Sequence, residues 1–394
     1  MSKISYVSTH YQNILTTKHQ ITKHIFNIKI KVITMDKRTL IFLSVSILIF
    51  LAMLAIIGVD KIFDALKTAD LRYIVVAIAL QLITFLLYNL RWQLLNKQAN
   101  IDIGFKKLLP ITMVGLAINN ITPSGRGGGE PVRAYILAKE HDHTIKETFA
   151  TVVADRVLDT FPFIVLTVIT VLSLSFQPNI PRWMIIIMII AAVAIVAILV
   201  ILIYMCINLN FGSKIERLIL KIVQRFKKDS DGLEEAIHEN IVGFQNTMTN
   251  LMSNKKILFT TIPLSFLVWF VEISRVYFVF LAFGAVASYG LIGEVFIVAS
   301  LIGMIPLLPG GLGAVDGTMI YLYSTSGITT AITAPVTVIE RVISFWMPTI
   351  IGLVILPHYG SSILEKISPK SSTEELEKSL KEEEKKELDE KNHL

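Results

Sequence analysis

The chain has 394 residues, of which 53% are hydrophobic and 17% charged, and its mean hydropathy is +0.62. A soluble domain of this size carries more charge, so composition excludes that class and points to an all-α, polytopic integral membrane protein. The formal net charge of +6 belongs to the loops of such a protein and does not imply nucleic-acid binding. The single cysteine, Cys206, lies in an apolar run, which rules out an intramolecular disulfide.

Residues 1–38 are polar and basic, with Lys3, Lys18, Lys23, Lys29, Lys31, Lys37 and Arg38, and lack a signal-peptide pattern. They read as a cytoplasmic extension. Met35 opens a plain MDKR-then-apolar start, so the first 34 residues are either a disordered extension or precede the true start. The apolar runs 39–59, 73–95, 148–175, 183–207, 257–283 and 331–357 predict six spanning helices. Residues 212–254 keep helical apolar spacing around Asp231-Gly232, and Arg217, Lys221, Arg225, Lys227 and Lys228 make the first half basic. This predicts an amphipathic cytoplasmic hairpin lying on the anionic inner leaflet, on its own bundle, or as a plain surface linker. Residues 358–394 form a charged cytoplasmic tail with almost no apolar face.

Two stretches break this pattern. Residues 123–130 read PSGRGGGE and residues 309–316 read PGGLGAVD, both obeying P-x-G-x-G-x-x-acid at an offset of 186. Asp155-Arg156 and Glu340-Arg341 follow at an offset of 185, Pro162 and Pro348 correspond at 186, and upstream Arg91 and Arg275 correspond at 184. Four landmarks in order at nearly one offset predict an internal repeat, about 73–175 and about 257–357. Within 108–139 and 291–325 the glycines and prolines interrupt otherwise apolar helices. Irregular backbone in hydrocarbon survives only when shielded by protein or lining a wet cavity. Each stretch therefore predicts a re-entrant pair of half-helices. The loop residues are Pro123, Gly125 and Gly127 in the first and Pro309, Gly311 and Gly313 in the second. Glu130-Pro131 reads as an N-cap followed by proline at the first helical position, and Gly317 as the second half-helix start.

With both re-entrant units returning to their own side, the N-terminus, residues 96–107, the 140s, residues 208–256 and the C-terminus share one side. That side holds Lys97, Lys106, Lys107, Lys139, Lys146, Lys255, Lys256 and the basic hairpin, while residues 284–330 contain no lysine or arginine. The positive-inside rule places both termini in the cytoplasm. Three crossings separate the two repeats, and an odd number inverts the second. The first glycine loop then enters from the cytoplasm and the second from outside, the arrangement of transporters with inverted repeats and broken helices.

Asp155, Arg156, Asp159, Glu272, Arg275, Glu340 and Arg341 all fall within apolar segments. Each charge costs roughly 2.5–3.5 kcal/mol near mid-membrane even on a lenient scale, so they must face one another or a wet cavity. Asp155 and Asp159 share a helix face, as do Glu272 and Arg275. Adjacent residues such as Asp155 and Arg156 must find partners on other helices. The functional reading is a polar path for a charged headgroup or ion; the alternative is a salt-bridge network that only holds helices together. Glu130 and Asp316 read as capping carboxylates. Arg126, Arg133, Arg156 and Arg341 suit bidentate recognition of a phosphate or carboxylate. His141 and His143 flank Asp142 at a spacing that puts them on different sides of a helix, so no metal site is expected. No cofactor is expected either.

TPSGRGGGEPVRAYIL, the following ADRVLD, and the later LPGGLGAVDG with its downstream ER resemble the transmembrane region of lysylphosphatidylglycerol synthase/flippase proteins, including stand-alone members. The resemblance covers residues 40–357 and implies a flippase-type domain moving aminoacylated phospholipid, or another lipid-linked molecule such as a lipid-linked sugar, between leaflets of the cell membrane. Full-length synthases carry a soluble aminoacyl-transfer domain after this region, whereas a short charged tail follows it here. Lipid aminoacylation is therefore not expected, and the chain reads as a transporter rather than an enzyme. The absence of a Walker motif removes ATP as a direct driver. Two alternatives stay open: an ion-coupled transporter of a small soluble anion, and a membrane enzyme on lipid-linked substrates with a metal at Asp155 and Asp159.

Overall fold

The computed structural model describes residues 60, 64, 67–122, 127–176, 182–208, 213, 217, 233–304, 311 and 313–359. All regular structure among them is helical. In chain order the helices are α1 (Leu71–Gln98), α2 (Phe105–Ile121), α3 (Gly129–Glu140), α4 (Ile145–Ser175), α5 (Arg182–Ile207), α6 (Leu233–Ser253), α7 (Lys255–Ala282), α8 (Tyr289–Gly303), α9 (Ala314–Thr325), α10 (Thr330–Arg341) and α11 (Met347–Ile355). A π-helical turn, Val342–Trp346, joins α10 to α11, and a 3-10 turn, Leu356–Tyr359, closes the described chain. The predicted span at 39–59, the tail, and most of the basic half of the hairpin lie outside the described residues.

Among the described residues five helices are long and apolar enough to cross a membrane: α1, α4, α5, α7 and the continuous α10–α11 segment. The last three lie where apolar runs predict them, and α1 and α4 extend their runs by two or three residues at an end. Helix α5 is apolar all round, with Ile190, Val193 and Ile198 each 63% exposed. Such an exposed face is stable against lipid and not against water.

Local chemistry sets the ends. Asp70 accepts the Arg72 N–H at 3.0 Å to start α1, Asn254 accepts two backbone N–H groups to start α7, and Ser288 accepts from Leu291 to start α8. Helices α1 and α7 pack antiparallel along their lengths: the Asp70 N–H donates to the Ala282 carbonyl at 2.7 Å, and further bonds link Tyr88 to Glu272 and Arg91 to Ser265. Around this pair lie three apolar clusters. Val276, Phe280, Val295, Tyr323 and Ile339 belong to one, where Phe280 and Tyr323 meet edge to face at 4.7 Å. Trp92, Leu108, Ile136 and Val152 belong to the second, and Leu95, Leu158, Met248 and Leu251 to the third.

The described half of the predicted hairpin, α6, docks on its own bundle. Phe244 packs on Phe149 of α4 with ring centroids 5.8 Å apart. Gln245 donates to the Met205 and Asn208 carbonyls at the end of α5, supplying partners for groups that a helix terminus leaves open. Lys146 pairs with Glu239 at 2.5 Å and holds that carboxyl below its ordinary range.

Both glycine-rich stretches separate short helices that pack on each other, α2 with α3 and α8 with α9. Helix α2 also lies against α11. There Gly352 brings its backbone so close to the Met113 carbonyl and Ala117 that a side chain would overlap both.

Candidate functional site

The charged residues of the apolar segments converge on one cavity of about 150 Å³ between α1, α2, α4, α7 and α10. Arg91 of α1 sits at its heart. It donates from Nε to Asp155 Oδ1 at 2.7 Å, and from its terminal nitrogen to Asp159 Oδ1 at 2.8 Å and Ser265 Oγ at 3.0 Å. Arg133 of α3 completes Asp155 from the other side at 2.9 Å, its guanidinium lying 4.8 Å from the centre of the Trp92 ring. Arg275 of α7 donates to Glu340 at 2.9 Å and to the Gln81 side chain. Arg156 pairs with Glu130, and Arg341 with Asp316 at 2.9 Å. The Tyr88 hydroxyl donates to Glu272 at 3.1 Å. Asp155 and Asp159 thus face arginine, not one another.

The pairings follow the sequence repeat. Arg91–Asp155 in one half corresponds to Arg275–Glu340 in the other, and Arg156–Glu130 to Arg341–Asp316. The cross-contacts correspond too. Arg91 reaches Ser265, and Arg275 reaches Gln81, which lies 184 residues before Ser265. Arg133 and Asp159 have no charged counterpart at the same offsets, where Met319 and Ser344 stand.

Accessibility separates the arginines. The Arg91 and Arg275 side chains are each 2% exposed, whereas Arg156 is 37% exposed and still joins the cavity wall. Beside the cavity opens a cleft of about 140 Å³ that shares Arg156, Asp159 and Ser300 with it and is otherwise walled by Gly127, Thr160, Phe163, Trp269 and Met304.

The helix starts differ from the sequence reading in detail. Helix α3 begins at Gly129 with Gly128 as N-cap, placing Glu130 and Pro131 inside the first turn. The reason is Asn119 at the end of α2, whose Oδ1 accepts the Gly129 N–H at 2.7 Å and whose Nδ2 donates to Glu130 at 3.2 Å. Gly129 abuts the Gly115 carbonyl so closely that no side chain fits. Helix α9 begins at Ala314 rather than Gly317. There Asp316 does cap, accepting the Gly313 N–H at 2.8 Å while also pairing with Arg341. Gly127, Gly311 and Gly313 flank the two breaks; Pro123, Gly125, Arg126 and Pro309 lie outside the described residues. Asn120 clamps the π-helical turn, donating to the Phe345 carbonyl at 3.0 Å and to Thr349 at 2.8 Å.

The family described as the lysylphosphatidylglycerol synthase TM region matches residues 40–352. The chain belongs to this family. Within it, a UPF0104 membrane protein of Methanothermobacter thermautotrophicus is 44% identical over 337 residues, covering 85% of this chain and 100% of the relative. A UPF0104 membrane protein of Pyrococcus horikoshii is 30% identical over 324 residues, covering 81% and 96%. One from Methanocaldococcus jannaschii is 30% identical over 325 residues, covering 80% and 94%. The chain is thus a multi-pass membrane protein of the lysylphosphatidylglycerol synthase TM-region family, matching nearly the whole length of these relatives.

Proposed function

We propose that the protein translocates a phospholipid or lipid-linked molecule between leaflets, its headgroup passing through the arginine-lined cavity. The observation that carries this reading is the pairing of that cavity with an apolar-walled side cleft. A charged pocket alone would suit a soluble anion as well. A charged pocket that shares a wall with a cleft bordered by Phe163, Trp269 and Met304 suits a molecule with a polar head and apolar chains. Arg156, on the boundary of both, is placed to meet the headgroup first, and its forked guanidinium suits a phosphate.

The two halves act as an inverted repeat. Antiparallel packing of equivalent helices α1 and α7, with reciprocal contacts across them, supports this reading, as does the break of α2–α3 and α8–α9 at matching motifs. The first glycine loop then enters from the cytoplasm and the second from outside, with both termini cytoplasmic in the cell membrane. Rocking of one half against the other alternates access.

Leaflet exchange in proteoliposomes tests the function. Labelled lipids with anionic, zwitterionic and cationic headgroups are compared, alongside uptake of inorganic phosphate. Wild-type protein exchanges lipid in a headgroup-dependent way, and Arg156→Ala loses that exchange while eluting as folded protein. Phosphate uptake without lipid exchange would replace the lipid by a soluble anion. Topology is tested separately. Single cysteines at Gly127 and Ala314, both exposed, in a Cys206→Ser background are expected to react with an impermeant thiol reagent from opposite sides. Reaction from one side would defeat the inverted arrangement.

A further inference from the structure

Helices α3 and α4 are joined at the cavity by two crossed ion pairs. Arg133 of α3 bonds Asp155 of α4 at 2.9 Å, and Glu130 of α3 bonds Arg156 of α4. Glu130 and Arg133 are three residues apart and share one face of α3, while Asp155 and Arg156 are neighbours on α4. All four line the cavity. Each arginine therefore meets the cavity with a carboxylate of the other helix already on it. A carboxylate and a phosphate accept the forked donors of a guanidinium in the same way, through two oxygens.

Three features make these two carboxylates exchangeable. The first is that each keeps a partner when its arginine leaves. Asp155 is also held by Arg91, whose Nε donates to its other oxygen at 2.7 Å. Glu130 also accepts from Asn119 Nδ2 at 3.2 Å, and it sits in the first turn of α3, where the helix end favours negative charge. Exchange thus avoids stranding a buried charge, which is what makes breaking a buried ion pair costly. The second is that the pairs are incompletely satisfied. Glu130 Oε2 and Arg133 Nε are buried and have no hydrogen-bond partner among the described residues. A buried polar atom left unpaired costs free energy that a better-matched partner recovers. The third is the difference between the halves. Arg341–Asp316 corresponds to Arg156–Glu130, but Met319 stands where Arg133 would be, and Glu340, the counterpart of Asp155, is held by Arg275. The second half thus seats its carboxylate without an arginine at that position. In the first half that arginine adds a second guanidinium near Arg156.

We propose that Arg133 and Arg156 form a two-pronged site for a phosphate group, with Asp155 and Glu130 holding its place until it arrives. The chemistry recognised is common to a phosphodiester headgroup and free phosphate; the proposal rests on the lipid-translocation reading for the source. On binding, one phosphate oxygen takes each guanidinium, Asp155 falls back on Arg91, and Glu130 falls back on Asn119. The bound group then bridges α3 to α4 in place of the crossed pairs.

The experiment is calorimetric binding to the full-length protein in detergent, with dihexanoyl phosphatidylglycerol and inorganic phosphate as separate probes. Glu130→Gln keeps the shape of the side chain and removes the competing charge. It is expected to tighten binding about tenfold, roughly the worth of one hydrogen bond to a charged group, whereas loss of a purely structural contact would weaken binding or leave it unchanged. Arg133→Gln is expected to weaken binding about tenfold or more, because one charge-assisted prong is lost. Unchanged or weaker binding by folded Glu130→Gln overturns the proposal. Wild-type affinity in Arg133→Gln also overturns it, and that variant decides alone if Glu130→Gln does not fold. Lipid bound with wild-type affinity by both variants removes this site and leaves translocation standing. Phosphate bound with the expected variant pattern, and lipid not bound, keeps the site and overturns the lipid reading. Neither probe bound by folded wild-type protein overturns both.

Discussion

Arg91→Ala is expected to cost the protein about 3–5 kcal/mol of stability, the loss typical when one member of a buried ion-pair network is removed. The side chain is 2% exposed and holds Asp155 and Asp159 together, so its removal strands carboxylates rather than merely deleting a bond. Arg133 still reaches Asp155 at 2.9 Å, whereas Arg156 stands 3.9 Å from Asp159. Thermal unfolding in detergent, followed by tryptophan fluorescence, measures the loss. Arg91→Met combined with Asp155→Asn and Asp159→Asn is expected to recover part of it, because the stranded charges are gone. An unchanged midpoint for Arg91→Ala would show that the network contributes nothing to folding. Arg156→Ala offers the contrast: at 37% exposure it is expected to change the midpoint little and exchange greatly.

Gly352→Ala is expected to destabilise the protein by about 1–3 kcal/mol, the usual cost of overfilling a packed interface. Intrinsic preference runs the other way, since alanine is favoured over glycine inside a helix by about 1 kcal/mol. Packing wins because the added methyl meets backbone, the Met113 carbonyl, which cannot rotate aside. Helices in membranes associate through such small residues. Gly317→Ala is the control. It also lies within a helix, yet nothing stands within 4 Å of the added carbon, so that variant is expected to be neutral or slightly more stable. Equal midpoints for the two variants would show that α2 and α11 are free to separate.

The helical architecture was legible in the sequence because hydrocarbon allows few solutions. The apolar runs at 183–207, 257–283 and 331–357 become α5, α7 and α10–α11 with ends set within a few residues. The charges were legible as a group for the same reason: Asp155, Arg275 and Glu340 could not face lipid. Their partners were not. Helical spacing puts Asp155 and Asp159 on one face, but says nothing of the arginine that bridges them from α1. Gln81, Tyr88, Ser265 and Asn119 were missed because a neutral polar residue in an apolar run gives no composition signal. Carrying the offset of 184 from Arg91 and Arg275 back along both helices would have aligned Gln81 with Ser265 and Tyr88 with Glu272. The α3 start was misplaced for a related reason. Glu130-Pro131 has the local pattern of a cap, but Asn119 supplies the acceptor from another helix, leaving Glu130 to Arg156.

The π-helical turn at Val342–Trp346 accommodates a difference in spacing between the two arginine-to-proline stretches. From Arg156 to Pro162 is six residues, and from Arg341 to Pro348 is seven. A π turn absorbs one residue more than an α turn without changing the direction of the helix on either side. The extra residue between Arg341 and Pro348 is taken up by that turn, so the helix keeps its direction on either side. Asn120 donates to the Phe345 carbonyl within it and ties this wider turn to the end of α2.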